Sequence, residues 1–279
     1  MWVGQQLADG LDFWGFLGSL ILGGIILGIY TGLLGYVGAK TGLSLDLLSQ
    51  RAFGEKGSYL PSAMTSFTQI GWFSVGSFVS GGTATPNFAR FAKNGKSGAI
   101  TTVVAFFIGN SLMFFFGAVS SIFVGGNDIF EVMVRLNLFY LAVLVLGLNI
   151  WTTNDNALYT AGLGLANIFH QRKKPMVLLS GIIGTVASVW LYYNFCGWLN
   201  ILNCTLPPVG IILVVSYFMN KKAYDTNTFK IVTVNWFAVA GVILGAIVAN
   251  VVTWGIASIN GMVVAALCYV VGEMVNKNK

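Results

Sequence analysis

Eight stretches of this chain are too long and too apolar to sit in water, and that pattern limits the fold more than any motif does. The first covers residues 13–37 without a single charge. The others cover about 59–89, 99–124, 136–169, 175–194, 197–219, 232–252 and 257–275. Crossing ~30 Å of hydrocarbon takes about 20 apolar residues in a helix. In oil, only helices and closed barrels satisfy every backbone polar group. Apolar runs of this length form helices, so the expected fold class is an all-α polytopic membrane protein, with residues 1–279 as a single transmembrane domain. The charged fraction agrees: 9% here, against about 25% in soluble domains.

The charges also set the expected topology. Lys and Arg number 15 against 9 Asp and Glu, a balance that could suggest a nucleic-acid partner. The basic residues instead fall in short clusters between apolar runs, as cytoplasmic loops do. Lys40, Arg51 and Lys56 form one cluster and Arg90, Lys93 and Lys96 a second; Arg172, Lys173 and Lys174, then Lys221, Lys222 and Lys230, then Lys277 and Lys279 complete the set. Residues 125–135, 193–197 and 253–258 are near neutral or uncharged, and residues 1–13 carry Asp9 and Asp12 with no base. All five basic segments share one side if 99–124 runs outward. The run 59–89 breaks the alternation, because it has basic flanks at both ends yet is too short for two crossings. It reads either as a re-entrant hairpin or as a splice of two half-helices from which an odd number of crossings is absent. No cleavable signal peptide is visible at the N-terminus. Cys196, Cys204 and Cys268 lie in or beside apolar runs at unrelated spacings and read as small hydrophobes. His170, the sole histidine, sits in a basic loop. No paired carboxylates, His–Glu set or Ser/Lys dyad lies at membrane depth, so an enzyme is not expected.

Polar residues in the oil mark the candidate site. Asn149, Thr152, Thr153, Asn154, Asp155 and Asn156 crowd the middle of 136–169. Such groups are costly in lipid unless they face a partner, an ion or a water-filled path. On a helix Asn149, Thr152, Thr153 and Asn156 share one face. Two adjacent hydroxyls and a carbonyl one turn earlier suit a small alkali cation; the alternative is that the threonines bond back to their own helix. Asp155, the only acid deep in a span, could carry a coupled H+ or brace its neighbours. In 59–89, Gln69, Trp72, Ser74, Ser77 and Ser80 interrupt the oil, and Gly76, Gly81, Gly82 and Pro86 argue against a regular helix over the second half. Pro207 and Pro208 mark a second expected break within 203–210. Interrupted helices point to a transporter's binding site. The glycines of 13–37 are a packing stripe, and Gly162 to Asn167 is not a phosphate loop, since no strand precedes it.

Residues 27–43 (LGIYTGLLGYVGAKTGL), 69–73 (QIGWF), 148–157 (LNIWTTNDNA) and 207–210 (PPVG) closely resemble the bacterial cytosine permeases of the nucleobase–cation symporter family. The resemblance covers nearly the whole chain. It implies a LeuT-like inverted-repeat transporter fold of twelve helices, here incomplete, with about eight apolar segments retained. Met1 and Trp2 resemble the middle of family helix 1, and the chain resumes after about Val75 at what resembles the middle of helix 6. That places an internal junction near residues 74–77, with three crossings removed. The resemblance further implies Na+ held by the Asn149 carbonyl and the Thr152 and Thr153 hydroxyls, as a coupling ion rather than a cofactor. It implies cytosine stacked between Trp72 and Phe78, with Gln69, Ser80 and the Gly81 N–H on its edge and Asn154 as a lesser contact. Expected partners are cytosine and the lipid bilayer, with no nucleic acid and no obligate protein partner, and the expected location is the bacterial inner membrane. The competing readings are a transport-defective remnant and a symporter for uracil or a hydantoin.

Overall fold

The apolar runs become helices, and the loops between them set where those helices meet. The computed structural model describes residues 12–75, 81–125, 129–225 and 231–277. In chain order the helices are α1 (Phe13–Thr41), α2 (Leu45–Phe53), α3 (Tyr59–Val75), α4 (Gly81–Ala84), α5 (Pro86–Ala89), α6 (Gly95–Val103) and, after a π-helical stretch at Val104–Gly109, α7 (Asn110–Val124). There follow α8 (Ile129–Arg135), α9 (Phe139–Phe169), α10 (Lys173–Tyr193), α11 (Phe195–Met219), α12 (Lys221–Asp225), α13 (Trp236–Val251) and α14 (Ala257–Lys277). No strand occurs among the described residues. Five helical spans, Phe13–Thr41, Gly95–Val124, Lys173–Leu191, Gly197–Met219 and Ala257–Asn276, are long and apolar enough to cross a membrane. The 31-residue α9 has the length as well; its polar middle lowers its hydropathy. The chain is thus a multi-pass membrane protein, as its apolar runs predict.

Three groups of helices pack around the site. The first is α3, α9 and α10; the second is α1 with α5, α6 and the π-helical stretch; the third is α11, α13 and α14. The glycine stripe of α1 does what its spacing predicts. A Cβ at Gly35 would meet Thr102 and the Gly98 carbonyl, and one at Gly98 would meet Gly35 and Ala39, so the two backbones are nearly in contact. The main core, built from Leu34, Val37, Leu45, Leu48, Phe53, Val209, Ile212, Tyr217 and Tyr269, ties α1 and the short α2 to the third group.

Contacts among the described residues link four of the five basic segments. Arg51 lies over the Tyr224 ring at 5.1 Å, and Lys173 lies over the Tyr159 ring at 3.5 Å. Arg90 donates to the Tyr159 hydroxyl. The backbone after α2 joins the segment before α13, with the Glu55 N–H donating to the Val232 carbonyl at 2.7 Å.

As its glycines and Pro86 predict, the run 59–89 is not one regular helix: α3 spans Tyr59–Val75, and short helices follow at Gly81 and Pro86. The expected break at 203–210 is absent, since α11 is continuous with Pro207 and Pro208 inside it. Proline removes a helical donor, but in a buried membrane helix the freed groups find other partners.

Candidate functional site: a cavity between α3, α6–α7 and α9

A cavity of about 890 Å³ is bounded by α3, α5, the α6–π–α7 rod and α9. It is mostly apolar, with a few polar groups converging: Gln69 from α3, Thr85 before α5, Thr101 and Asn110 on the rod, and Thr153 and Asn156 from α9. That is the usual make-up of a small-molecule site, where apolar walls carry the affinity and few polar groups fix orientation. Gln69, Thr153 and Asn156 were singled out from the sequence in separate segments, and the fold brings them to one cavity.

The remaining residues of the expected site distribute as follows. Gln69 is buried at 7% exposure. Trp72 falls in α3 near its C-terminal end, and Gly81 opens α4. Phe78, Ser80 and the later half of the expected junction lie outside the described residues. Asn154 is half-buried, and its Oδ1 is a buried acceptor without a hydrogen-bond partner among the described residues. Asn149, Thr152 and Asp155 are exposed at the middle of α9. Thr152 Oγ1 donates to the carbonyls of Asn149, at 3.0 Å, and Leu148, at 3.1 Å. Thr153 Oγ1 donates to Asn149 Oδ1 at 3.3 Å. The Asn149 carbonyl and both hydroxyls thus lie within one turn, and the hydroxyls turn back onto their own helix. An arriving cation would replace the two hydroxyl hydrogens as the partner of the Asn149 oxygens. Groups of three or more His, Cys, Asp or Glu able to hold a metal do not occur among the described residues; a hydroxyl-and-carbonyl cation site needs none.

Sequence reasoning missed Thr85, Thr101 and Asn110. The signal available for Asn110 was the Gly109-Asn110-Ser111 interruption of an apolar run. The fold adds a π-helical stretch immediately before it, Val104–Gly109, a feature often found at functional sites. Asn203 and Pro207 line a different and smaller cleft of about 430 Å³, together with Tyr30 and Thr83. The Tyr30 and Thr83 hydroxyls are 2.8 Å apart and tie α1 to α4.

Residues 1–84 and 74–272 match the family model described as permease for cytosine/purines, uracil, thiamine, allantoin. This chain belongs to that permease family. Its family is one of transporters rather than enzymes. Cytosine permeases of Escherichia coli strains K12 and O157:H7 are each 36% identical to it over 364 aligned positions, covering 97% of this chain and 86% of theirs. Those positions outnumber the 279 residues present here, so the permeases carry residues without a counterpart. The structure of Mhp1, a nucleobase-cation-symport-1 family transporter in a closed conformation with bromovinylhydantoin bound, superposes with a TM-score of 0.75 at 15% identity, covering 97% of this chain and 87% of that one. The permease fold here is therefore the LeuT-like inverted-repeat fold, shortened relative to the full protein.

Proposed function

We propose that this chain binds a nucleobase, cytosine first among them, in the 890 Å³ cavity and carries it with Na+ across the bacterial inner membrane. The observation that carries the reading is the meeting of Gln69, Thr153 and Asn156 on one cavity wall system in a member of a permease family. A pyrimidine is flat, with donors and acceptors alternating on its edge. The Gln69 amide offers one of each, and Trp72 and Phe78 are the stacking surfaces that the family resemblance implies. Na+ is a co-substrate held at Asn149, Thr152 and Thr153, with H+ at Asp155 as the competing choice.

The reading includes an internal shortening near residues 74–77. Two features support it: the family model matches in two pieces that overlap at 74–84, and the relatives' alignment is longer than this chain. The exposure of Asn149, Thr152 and Asp155 at mid-helix favours a second reading, a remnant that binds but does not move its substrate. Radiolabelled cytosine uptake by cells expressing the chain separates the two. Sodium-dependent uptake above background, competed best by cytosine within a panel including uracil and a hydantoin, supports transport. Background uptake despite good membrane expression sinks it, and better competition by another base overturns the substrate assignment.

A further inference from the structure

The nine-residue α2 is too short to cross a membrane, yet its first turn holds an acid that is only 5% exposed, Asp46. Asp46 Oδ1 accepts a hydrogen bond from Ser62 Oγ of α3 at 2.6 Å. Ser62 Oγ in turn accepts from Asn167 Nδ2 of α9 at 2.9 Å, and the same amide donates its other hydrogen to Ser58 Oγ at 3.0 Å. The circuit closes on α2, where Gln50 Nε2 donates to Asn167 Oδ1 at 2.6 Å. The bonds therefore run amide to hydroxyl to carboxylate, and Asp46 is their terminal acceptor. The network joins α2 to α3 and α9, while the core on the other side of α2 joins it to α1, α11 and α13. Asp46 sits on the joint between two groups of helices.

Little positive charge is available to balance a carboxylate there. Of the helices packed against α2, α3, α9, α11 and α13 contain no Lys, Arg or His, and their one charged residue is Asp155, in the middle of α9; α1, which shares the core with α2, carries Lys40 in its last turn, exposed and beside Gly95. On α2 itself Arg51 lies over the Tyr224 ring. Arg90, beyond α5, is the base that acts on Asp46, and it does so from a distance; its guanidinium donates to Tyr159 and lies over Phe91. The N-terminus of α2 also favours an anion, but a buried carboxylate without an ion-pair partner is costly.

We propose that Asp46 is a proton-binding site: its carboxyl is buried without an ion-pair partner among the described residues, and loss of the proton puts an uncompensated charge into the joint of α2 with α3 and α9 and weakens it. Burial pushes the Asp46 carboxyl up from 3.8 to about 6, against the opposing effects of the Ser62 bond, its own backbone and Arg90. Because the folded state holds this proton more tightly than the unfolded chain, the stabilisation is complete below about pH 4 and fades as pH rises through about 6. The site is independent of the substrate reading, and its residues line neither cavity.

The test uses the purified full chain in detergent micelles. Its melting temperature should fall as pH is raised from about 4 to about 7. Asp46→Asn, which keeps an acceptor for Ser62 and has no proton to lose, should abolish that fall. Infrared difference spectra should show a protonated-carboxyl band that disappears with a midpoint near 6; Asp46→Asn should remove it and Asp155→Asn should not. An unchanged pH slope in Asp46→Asn, or a band that survives it, overturns the proposal. Should Asp46→Asn fail to fold, Ser62→Ala provides the check: removing a bond to the charged form should raise the midpoint, and an unmoved midpoint also overturns the assignment.

Discussion

Helix α9 carries two polar regions about 20 Å apart along its axis, and the fold treats them oppositely. Around Asn167, near the basic end, partners are supplied from other helices: Gln50, Ser58, Ser62 and, through Ser62, Asp46 form a bonded circuit, buried at Ser58, Ser62 and Asp46 and half-buried at Gln50 and Asn167. Around Thr152, at mid-helix, the hydroxyls bond only within α9, and Asn149 and Asp155 are exposed. The first region is finished by protein–protein bonds and so fixes helix positions. The second leaves acceptors open, which is the condition for taking a ligand. In a membrane protein the polar cluster bonded across helices is architecture, and the one bonded only within its own helix is where function is to be sought.

Breaking the finished region should have the largest effect. Asn167→Leu removes three side-chain bonds: the Gln50 amide loses its acceptor, and the Ser58 and Ser62 hydroxyls, which still donate to the Glu55 carbonyl and to Asp46, each lose a donor, at roughly 1–3 kcal/mol each. A loss of about 3 kcal/mol or more is expected, read as a steep fall in melting temperature or as failure to purify monodisperse. Gly164 lies one turn away on α9, where a Cβ would run into the Ser66 hydroxyl and the Ser62 carbonyl. Gly164→Val should therefore cost about 1–3 kcal/mol by forcing α3 from α9, measurable by thermal unfolding. Gln69→Leu moves the contrast to the cavity. It should weaken cytosine binding at least about tenfold while leaving the protein folded, since losing one buried hydrogen bond to a ligand is worth about 1–2 kcal/mol. Smallest in stability should be Asn149→Leu at the open region, within about 0.5 kcal/mol of wild type or better, because it replaces an exposed amide at membrane depth. A large loss there would mean that the mid-helix cluster is structural too.

The two regions were unequally legible in the sequence. The mid-helix cluster stands out because six polar side chains interrupt a long apolar run, and the spans follow from length and hydropathy alone. The circuit at the basic end was hidden. Its residues are scattered over positions 46 to 167, and α2 lies between Lys40 and Lys56, so it read as loop. A signal was present: Ser44 before Leu45, Leu48 and Ala52 is an N-cap followed by one apolar helical face, and Ser44 does accept from the Leu47 N–H. That signal would have found α2 but not Asp46's partners, which only tertiary packing supplies. The Pro207–Pro208 pair misled in the other direction. Proline chemistry argued for a break, but α11 packs against α13 and α14 and stays helical. Pro208 there approaches Gly245 of α13.

Equilibrium binding of labelled cytosine to the purified chain, with and without sodium, tests the open region most directly. Wild-type protein should bind cytosine more tightly in sodium, and Thr152→Val with Thr153→Val should remove the sodium dependence while leaving the melting temperature within the range of Asn149→Leu. Binding that is indifferent to sodium in the wild type, or a sodium effect that survives loss of both hydroxyls, would contradict the assignment of this open region as the ligand-taking one.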